Sequence, residues 1–220
     1  MLNKIMEQVK EFAGKRERFD PSRFNDQVAL QTGWGPVKND GINFRTHSLS
    51  KKDDWQIAFK PTIGAILFSG IFIAVSIGLI SLAIIADTKG EWSMNLLILL
   101  FGLVFGGIGG GMLYKFTTPI IFDKQSGTFR KGRKSPTQVQ HPGKIKQNVW
   151  LANIHALQII SEYCRSRSNN GGSSYRSYEL NLVLDDSKRI NVIDHGNYAR
   201  LRKDAESLAE FLGVPLWDRI

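Results

Sequence analysis

Apolar residues run almost unbroken through two stretches in the middle of the chain, Pro61 to Ala86 and Asn95 to Tyr114, separated by the short polar segment Asp87 to Ser93. No charged residue lies between Lys60 and Asp87, and none between Trp92 and Lys115. As helices rising about 1.5 Å per residue, both runs are long enough to cross a hydrocarbon core of about 30 Å. The pattern predicts a two-helix transmembrane hairpin over 61–114, with helices at 61–86 and 94–114. A buried soluble pair is the rival reading, but two successive runs this apolar are hard to bury in so small a chain.

The flanks carry other periods. Leu2, Ile5, Met6, Val9, Phe12 and Ala13 recur at helical spacing and predict an N-terminal amphipathic helix over 1–18. Residues 19–41 hold no sustained period and read as an irregular connector. Within 42–60, Ile42 to Ser48 and Trp55 to Lys60 read as two strands around a turn at Ser50 to Asp54. Residues 115–220 predict a cytoplasmic β-domain. There Tyr178, Leu180, Leu182 and Leu184 alternate with Glu179, Asn181 and Asp185, the signature of a strand with one face in water. A helix over 198–212 closes the domain, with Asn197 as N-cap, Gly213 as the left-handed residue after it and Pro215 as the stop.

Inside the hairpin, small residues recur four apart, at Gly70, Ala74 and Gly78 and at Gly102, Gly106 and Gly110. They are the candidate helix-packing residues, because lipid offers no hydrophobic drive for helices to pair. The Gly106 to Gly111 run lacks the Lys and Ser/Thr of a phosphate-binding loop. With no ionisable residue in either span, a charged substrate or ion path has nothing to run on.

Charge sets the expected orientation. The net charge is +9, and Lys and Arg crowd both outer flanks of the hairpin while its connecting segment holds only Lys89. The positive-inside rule then puts both termini in the cytoplasm of a multi-pass protein of the bacterial inner membrane. The first thirty residues hold no apolar core of a cleavable signal, so the first apolar run is expected to act as its own targeting signal. Trp55, Trp92 and Tyr114 are expected at the membrane boundaries, and Pro61 at the first helical position. The basic balance does not point to nucleic acid, since no recognition motif accompanies it.

Chemistry is sparse. Zincin, nucleophile-elbow and phosphate-loop motifs are absent, and Cys164 is the single cysteine. Of the four histidines, only His155 and His195, with Asp194, suggest a metal site, and Asp194 to Gly196 reads more simply as a turn whose glycine supplies an unusual backbone angle. The expectation is a non-enzyme with no metal and no cofactor. The candidate site is the basic cluster Arg130, Lys131, Arg133, Lys134, Lys144 and Lys146, which would meet anionic lipid headgroups or a protein partner.

Strands followed by one amphipathic helix, directly after a two-helix hairpin, resemble the membrane-anchored pleckstrin-homology-like proteins of bacteria. A two-helix photosystem assembly factor of chloroplasts and cyanobacteria has a similar layout. More closely, Phe19 to Asp26, Asn43 to His47, Gly107 to Tyr114, Tyr178 to Leu184 and Phe211 to Trp217 resemble an uncharacterised family of bacterial inner-membrane proteins. The resemblance implies an α+β membrane protein: a transmembrane hairpin plus an antiparallel, pleckstrin-homology-like β-domain. A full sheet set of that kind has seven strands, about five of which follow the hairpin. The strands in 42–60 would complete it, with the hairpin inserted into the domain. The expected role is a scaffold, assembly or accessory protein that binds membrane lipid or a membrane or cytoplasmic protein, and that can form homo-oligomers. The alternative is an immunity component that neutralises a toxin in the same bilayer.

Overall fold

A computed structural model describes residues 19–38, 41–85, 92–133, 148–165 and 174–220. The helix expected over 1–18 lies outside them, as do Lys134, Lys144 and Lys146 of the basic cluster. Among the described residues the chain is α+β, with two long apolar helices and two sheets that are antiparallel except for one short strand.

The first sheet is a five-stranded meander of β1 (His47–Lys51), β2 (Gln56–Pro61), β3 (Ile120–Asp123), β4 (Thr128–Lys131) and β5 (Asn148–Trp150). Between β2 and β3 the chain leaves the sheet as helix α2 (Ile63–Ile85) and returns as α3 (Trp92–Phe116). β2 and β3 are nevertheless direct neighbours, in register from Gln56 opposite Asp123 to Phe59 opposite Ile120. The strand expected at Ile42 to Ser48 starts later, at His47, and takes in Ser50 and Lys51. β1 is an edge strand, where polar side chains reach water freely, so its charged end does not break it. Pro61 ends β2, and Thr62 takes the N-cap position of α2, its Oγ1 accepting from the Ala65 N–H at 3.2 Å. Trp55 lies just before β2, about 20 Å of strand from the start of α2.

The second sheet has the order β8–β7–β6–β9, from β6 (Ile154–Arg165), β7 (Ser174–Leu184), β8 (Arg189–His195) and the parallel strand β9 (Leu216–Asp218). Before β6 and the sheets stand a short 3-10 helix, Pro21–Phe24, and α1 (Gln27–Gln31). Helix α4 (Tyr198–Leu212) lies against the sheets, with Asn197 Oδ1 accepting from the Arg200 N–H at 3.0 Å and Gly213 at φ 73° ending it. One core joins all three layers: Phe59, Ile120, Phe122 and Phe129 of the first sheet, Leu157, Ile159, Leu180 and Leu182 of the second, and Leu201 and Leu208 of α4.

The outer face of the second sheet is not in water. Residues 19–38 lie across it as a strap, packing Phe24, Val28, Ala29 and Trp34 on Ala156, Val183 and Trp217. Glu179 and Asn181, which the alternation assigns to solvent, are 0 % exposed. The Glu179 carboxylate accepts from the backbone N–H groups of Val37 and Lys38, both at 2.9 Å, and from Asn181 Nδ2 at 3.1 Å. The connector is thus a docked segment whose backbone finds its partners on sheet side chains, as buried amides must.

Helices α2 and α3 are long and apolar enough to cross a membrane, and only 17 % and 11 % of their most apolar windows are buried. A core helix of a globular domain would be mostly covered. Their contact steps by seven as well as by four, and on α2 it takes in Ala65, which is fully buried. Ser69 and Ser76 of α2 are buried, and so are Gly102, Gly109 and Phe116 of α3. Ser76 Oγ donates to the Gly102 carbonyl at 2.6 Å, and a Cβ on Gly109 would lie 3.0 Å from the Ile73 backbone nitrogen. Of the expected packing residues, Gly102 and Gly106 face α2. Gly70, Gly78 and Gly110 have open space where a side chain would project, and Ala74 is exposed. A near-antiparallel pair crossing at about 20° keeps one seam of heptad spacing in contact, and residues four apart drift off it.

Candidate site at the foot of the hairpin

The sheet delivers both ends of the hairpin to one place, and several segments tie it down there. His47 Nε2 donates to the carbonyl of Phe116, the last residue of α3, at 3.0 Å, while Thr46 Oγ1 donates to His47 Nδ1 at 2.9 Å. Arg133 donates to the Tyr114 carbonyl at 2.9 Å and to Thr117 Oγ1 at 2.7 Å, with its guanidinium 4.3 Å from the Tyr114 ring centroid. These donors satisfy the carbonyls that every helix leaves open at its C-terminus, where positive charge is also favoured. Phe44 packs between Phe68 of α2 and Phe116 of α3.

The basic cluster divides at this foot. β4 alternates, so Arg130 shares a face with Thr128 while Lys131 shares one with Phe129, which is fully buried. Lys131 therefore points between the sheets, where its Nζ donates to the Asn191 carbonyl at 3.0 Å and lies 3.4 Å from Asn191 Oδ1. Lys131, expected at the surface with the rest of the cluster, is half-buried and tied to Asn191. Arg133 is a helix cap, and of the described members of the cluster Arg130 alone has neither role. Burial pulls the Lys131 ammonium down to about 8, with Asp194 opposing and Lys38 and Lys115 acting in the same direction as burial.

Around Lys131 lies a cavity of about 70 Å³ lined by Lys38, Thr46, His47, Lys115, Asn191 and Asp194, among others. Asp194 is 6 % exposed, accepts from Asn191 Nδ2 at 2.8 Å and pairs with Lys38 Nζ at 3.6 Å. Asn191 lies 3.4 Å from Asn181 Oδ1, so the polar chain continues from Asp194 through both asparagines to Glu179. Burial lowers the pKa of His47, with the Phe116 carbonyl opposing, and holds the ring neutral near pH 7.

The possible histidine–aspartate metal site does not assemble. His155 Nε2 pairs with Asp26 at 2.8 Å, at the strap, whereas His195 is buried and accepts from the Asn197 N–H through Nδ1 at 2.8 Å. Its Nε2 has no hydrogen-bond partner among the described residues, and burial first, then Arg45, pull its pKa to about 4. Asp194 and His195 end β8 rather than forming a turn. Gly196 is needed for close approach, since a Cβ there would overlap the Asn43 carbonyl. Among the described residues, no group of three His, Cys, Asp or Glu side chains gathers at metal-binding distance. A second concavity, of about 520 Å³, runs between α4 and the β1–β2 hairpin past Leu49, Ile57 and Phe211.

Lys38 and the network from Glu179 to Asp194 do not stand out in the sequence. Lys38 sits in an aperiodic stretch, and the only signal was that the polar positions of β7 repeat where a strap can cover them. Comparison of the chain with protein-family models, with curated proteins and with solved structures found no match in any of the three.

Proposed function

We propose that the chain is a non-enzymatic inner-membrane scaffold or accessory protein whose hairpin anchors a cytoplasmic, pleckstrin-homology-like domain against anionic lipid, leaving that domain to hold a protein partner. One observation carries this reading: the strands entering and leaving the apolar hairpin are paired neighbours in the domain's first sheet. A domain joined to its anchor by two adjacent strands, with the helix ends capped from within the sheet, has no slack with which to leave the leaflet. Four strands of a meander, a second meander and a closing helix are also the order expected of a pleckstrin-homology-like domain, with β5 and β9 as additions. In this reading the chain belongs with the bacterial inner-membrane proteins it resembles. The basic residues at the hairpin's foot lie at headgroup level, where each exposed Lys or Arg gains about 1 kcal/mol from anionic lipid.

The test uses the full chain in nanodiscs of mixed zwitterionic and anionic phospholipid, with retained lipids identified by native mass spectrometry. Anionic lipid should be enriched at least threefold on the protein, and Arg130, Lys134, Lys144 and Lys146 all changed to Gln should remove most of that enrichment. Retention in proportion to the bulk lipid contradicts the headgroup role.

A further inference from the structure

Lysines from three separate parts of the chain converge on the cavity at the hairpin's foot: Lys38 from the strap, Lys115 from the last turn of α3 and Lys131 from β4. Among the described residues Asp194 is the one carboxylate in its lining, and it is already engaged by Asn191 at 2.8 Å and by Lys38 at 3.6 Å. We propose that this cavity is a binding site for a phosphoryl anion, seated between Lys131, Lys38 and Lys115.

The chemistry of the lining selects that class of ligand. Lys131 is the enclosed member, Lys38 and Lys115 stand toward solvent, and three ammonium groups around one shared carboxylate leave an excess of positive charge that a multiply charged oxyanion matches. An ammonium has three N–H donors, and Lys131 directs two toward the oxygens of Asn191, which leaves one for a ligand in the cavity. Burial and the two neighbouring lysines lower the Lys131 pKa, and an anion seated beside it would restore the charged form. The volume, about 70 Å³, suits a single tetrahedral group rather than a sugar or a nucleotide base. Lys38 has a half-exposed side chain, at 48 %, and so stands at the rim where a ligand enters. The same chemistry serves a phosphomonoester at the end of a lipid or a free phosphate. The lipid source rests on the membrane-anchored reading above, whereas the free source does not.

Full-length protein in neutral detergent, stripped of lipid, would be titrated calorimetrically with inorganic phosphate and separately with a short-chain phosphatidic acid. Saturable one-to-one binding is expected for at least one of them. Lys131→Met should weaken it at least tenfold and Lys38→Met at least threefold, while Lys188→Gln, in the exposed turn between β7 and β8, leaves it unchanged. Thermal unfolding shows whether Lys131→Met folds, and if it does not, Lys38→Met decides. Phosphatidic acid binding at least tenfold tighter than phosphate assigns the lipid source, and equal affinities assign the free anion. Absence of saturable binding to either probe, or binding indifferent to both lysine variants, overturns the site. Enrichment of anionic lipid in nanodiscs can fail while phosphate still binds here, so the two readings fall separately.

Discussion

Phe59 and Ile120 face each other across one antiparallel ladder, and the entire two-helix hairpin is the connection between them. Apolar hairpin and sheet are therefore not consecutive modules. A domain taken to begin at residue 115 omits β1 and β2, exposes the open edge of β3 and removes Ile57 and Phe59 from the core. Joining Pro61 to Pro119 through a short turn in place of the hairpin should give a soluble domain that unfolds cooperatively. The fragment 115–220 should not, and circular dichroism during thermal unfolding separates the two outcomes.

The hairpin seam gives a contrast between adjacent glycines. Gly109 abuts the α2 backbone, whereas Gly110 has nothing within 4 Å of its missing side chain. Gly109→Val should destabilise helix pairing by roughly 1 to 3 kcal/mol, the usual penalty of overpacking, and Gly110→Val by almost nothing. Thermal aggregation of the two variants in detergent measures the difference. Equal effects would place the seam on the other face of α3.

The strap is held by a buried carboxylate. Glu179→Ala leaves the N–H groups of Val37 and Lys38 without their acceptor, and should cost about 3 kcal/mol. Glu179→Gln keeps one acceptor oxygen and should cost less. Denaturant unfolding gives both values, and proteolysis should show cleavage near residues 35–38 in the alanine variant first.

Acid should weaken the fold before its carboxylates titrate. His195 has its pKa lowered to about 4 in the folded state, against about 6.5 when unfolded. Between those values the unfolded chain binds the extra proton, so stability falls as pH drops from about 6.5 to 4. The full drop from this residue is about 3 kcal/mol, and His47 shifts in the same direction. Asp26 behaves differently. Burial raises its pKa, but hydrogen bonds from His155, Val28 and Ala29 outweigh that and leave it lowered, so its contribution is present above about 4 and lost below. Melting temperature against pH should slope more gently in His195→Asn, whose amide oxygen can replace Nδ1 as acceptor for Asn197. An unchanged slope would remove His195 as the source.

Much of the architecture is legible in the residues, and the reasons for the rest are physical. The apolar runs and the terminal helix carry local signals, because composition and caps are written in adjacent positions. β7 also alternates as written, yet alternation reports only that one face is polar. It does not say whether water or a docked backbone meets that face, and Glu179 and Asn181 meet the strap. Arg130 and Lys131 are equivalent as charges in a basic run, and only the phase of β4, set by Phe129 in the core, sends one outward and one into the cavity. In the helix seam, small residues four apart mark a close approach but do not fix which of them make it: Gly102 and Gly106 meet the facing helix and Gly110 does not.

The central claim is that a membrane hairpin is threaded through a cytoplasmic domain, and cysteine accessibility tests it most directly. In a Cys164→Ser background, single cysteines at Lys89, between the apolar runs, and at Lys188, in the exposed turn between β7 and β8, would be exposed to a membrane-impermeant maleimide. Lys89→Cys should label in intact cells, and Lys188→Cys only after permeabilisation. Labelling of Lys188→Cys in intact cells, or equal labelling of both sites, would contradict it.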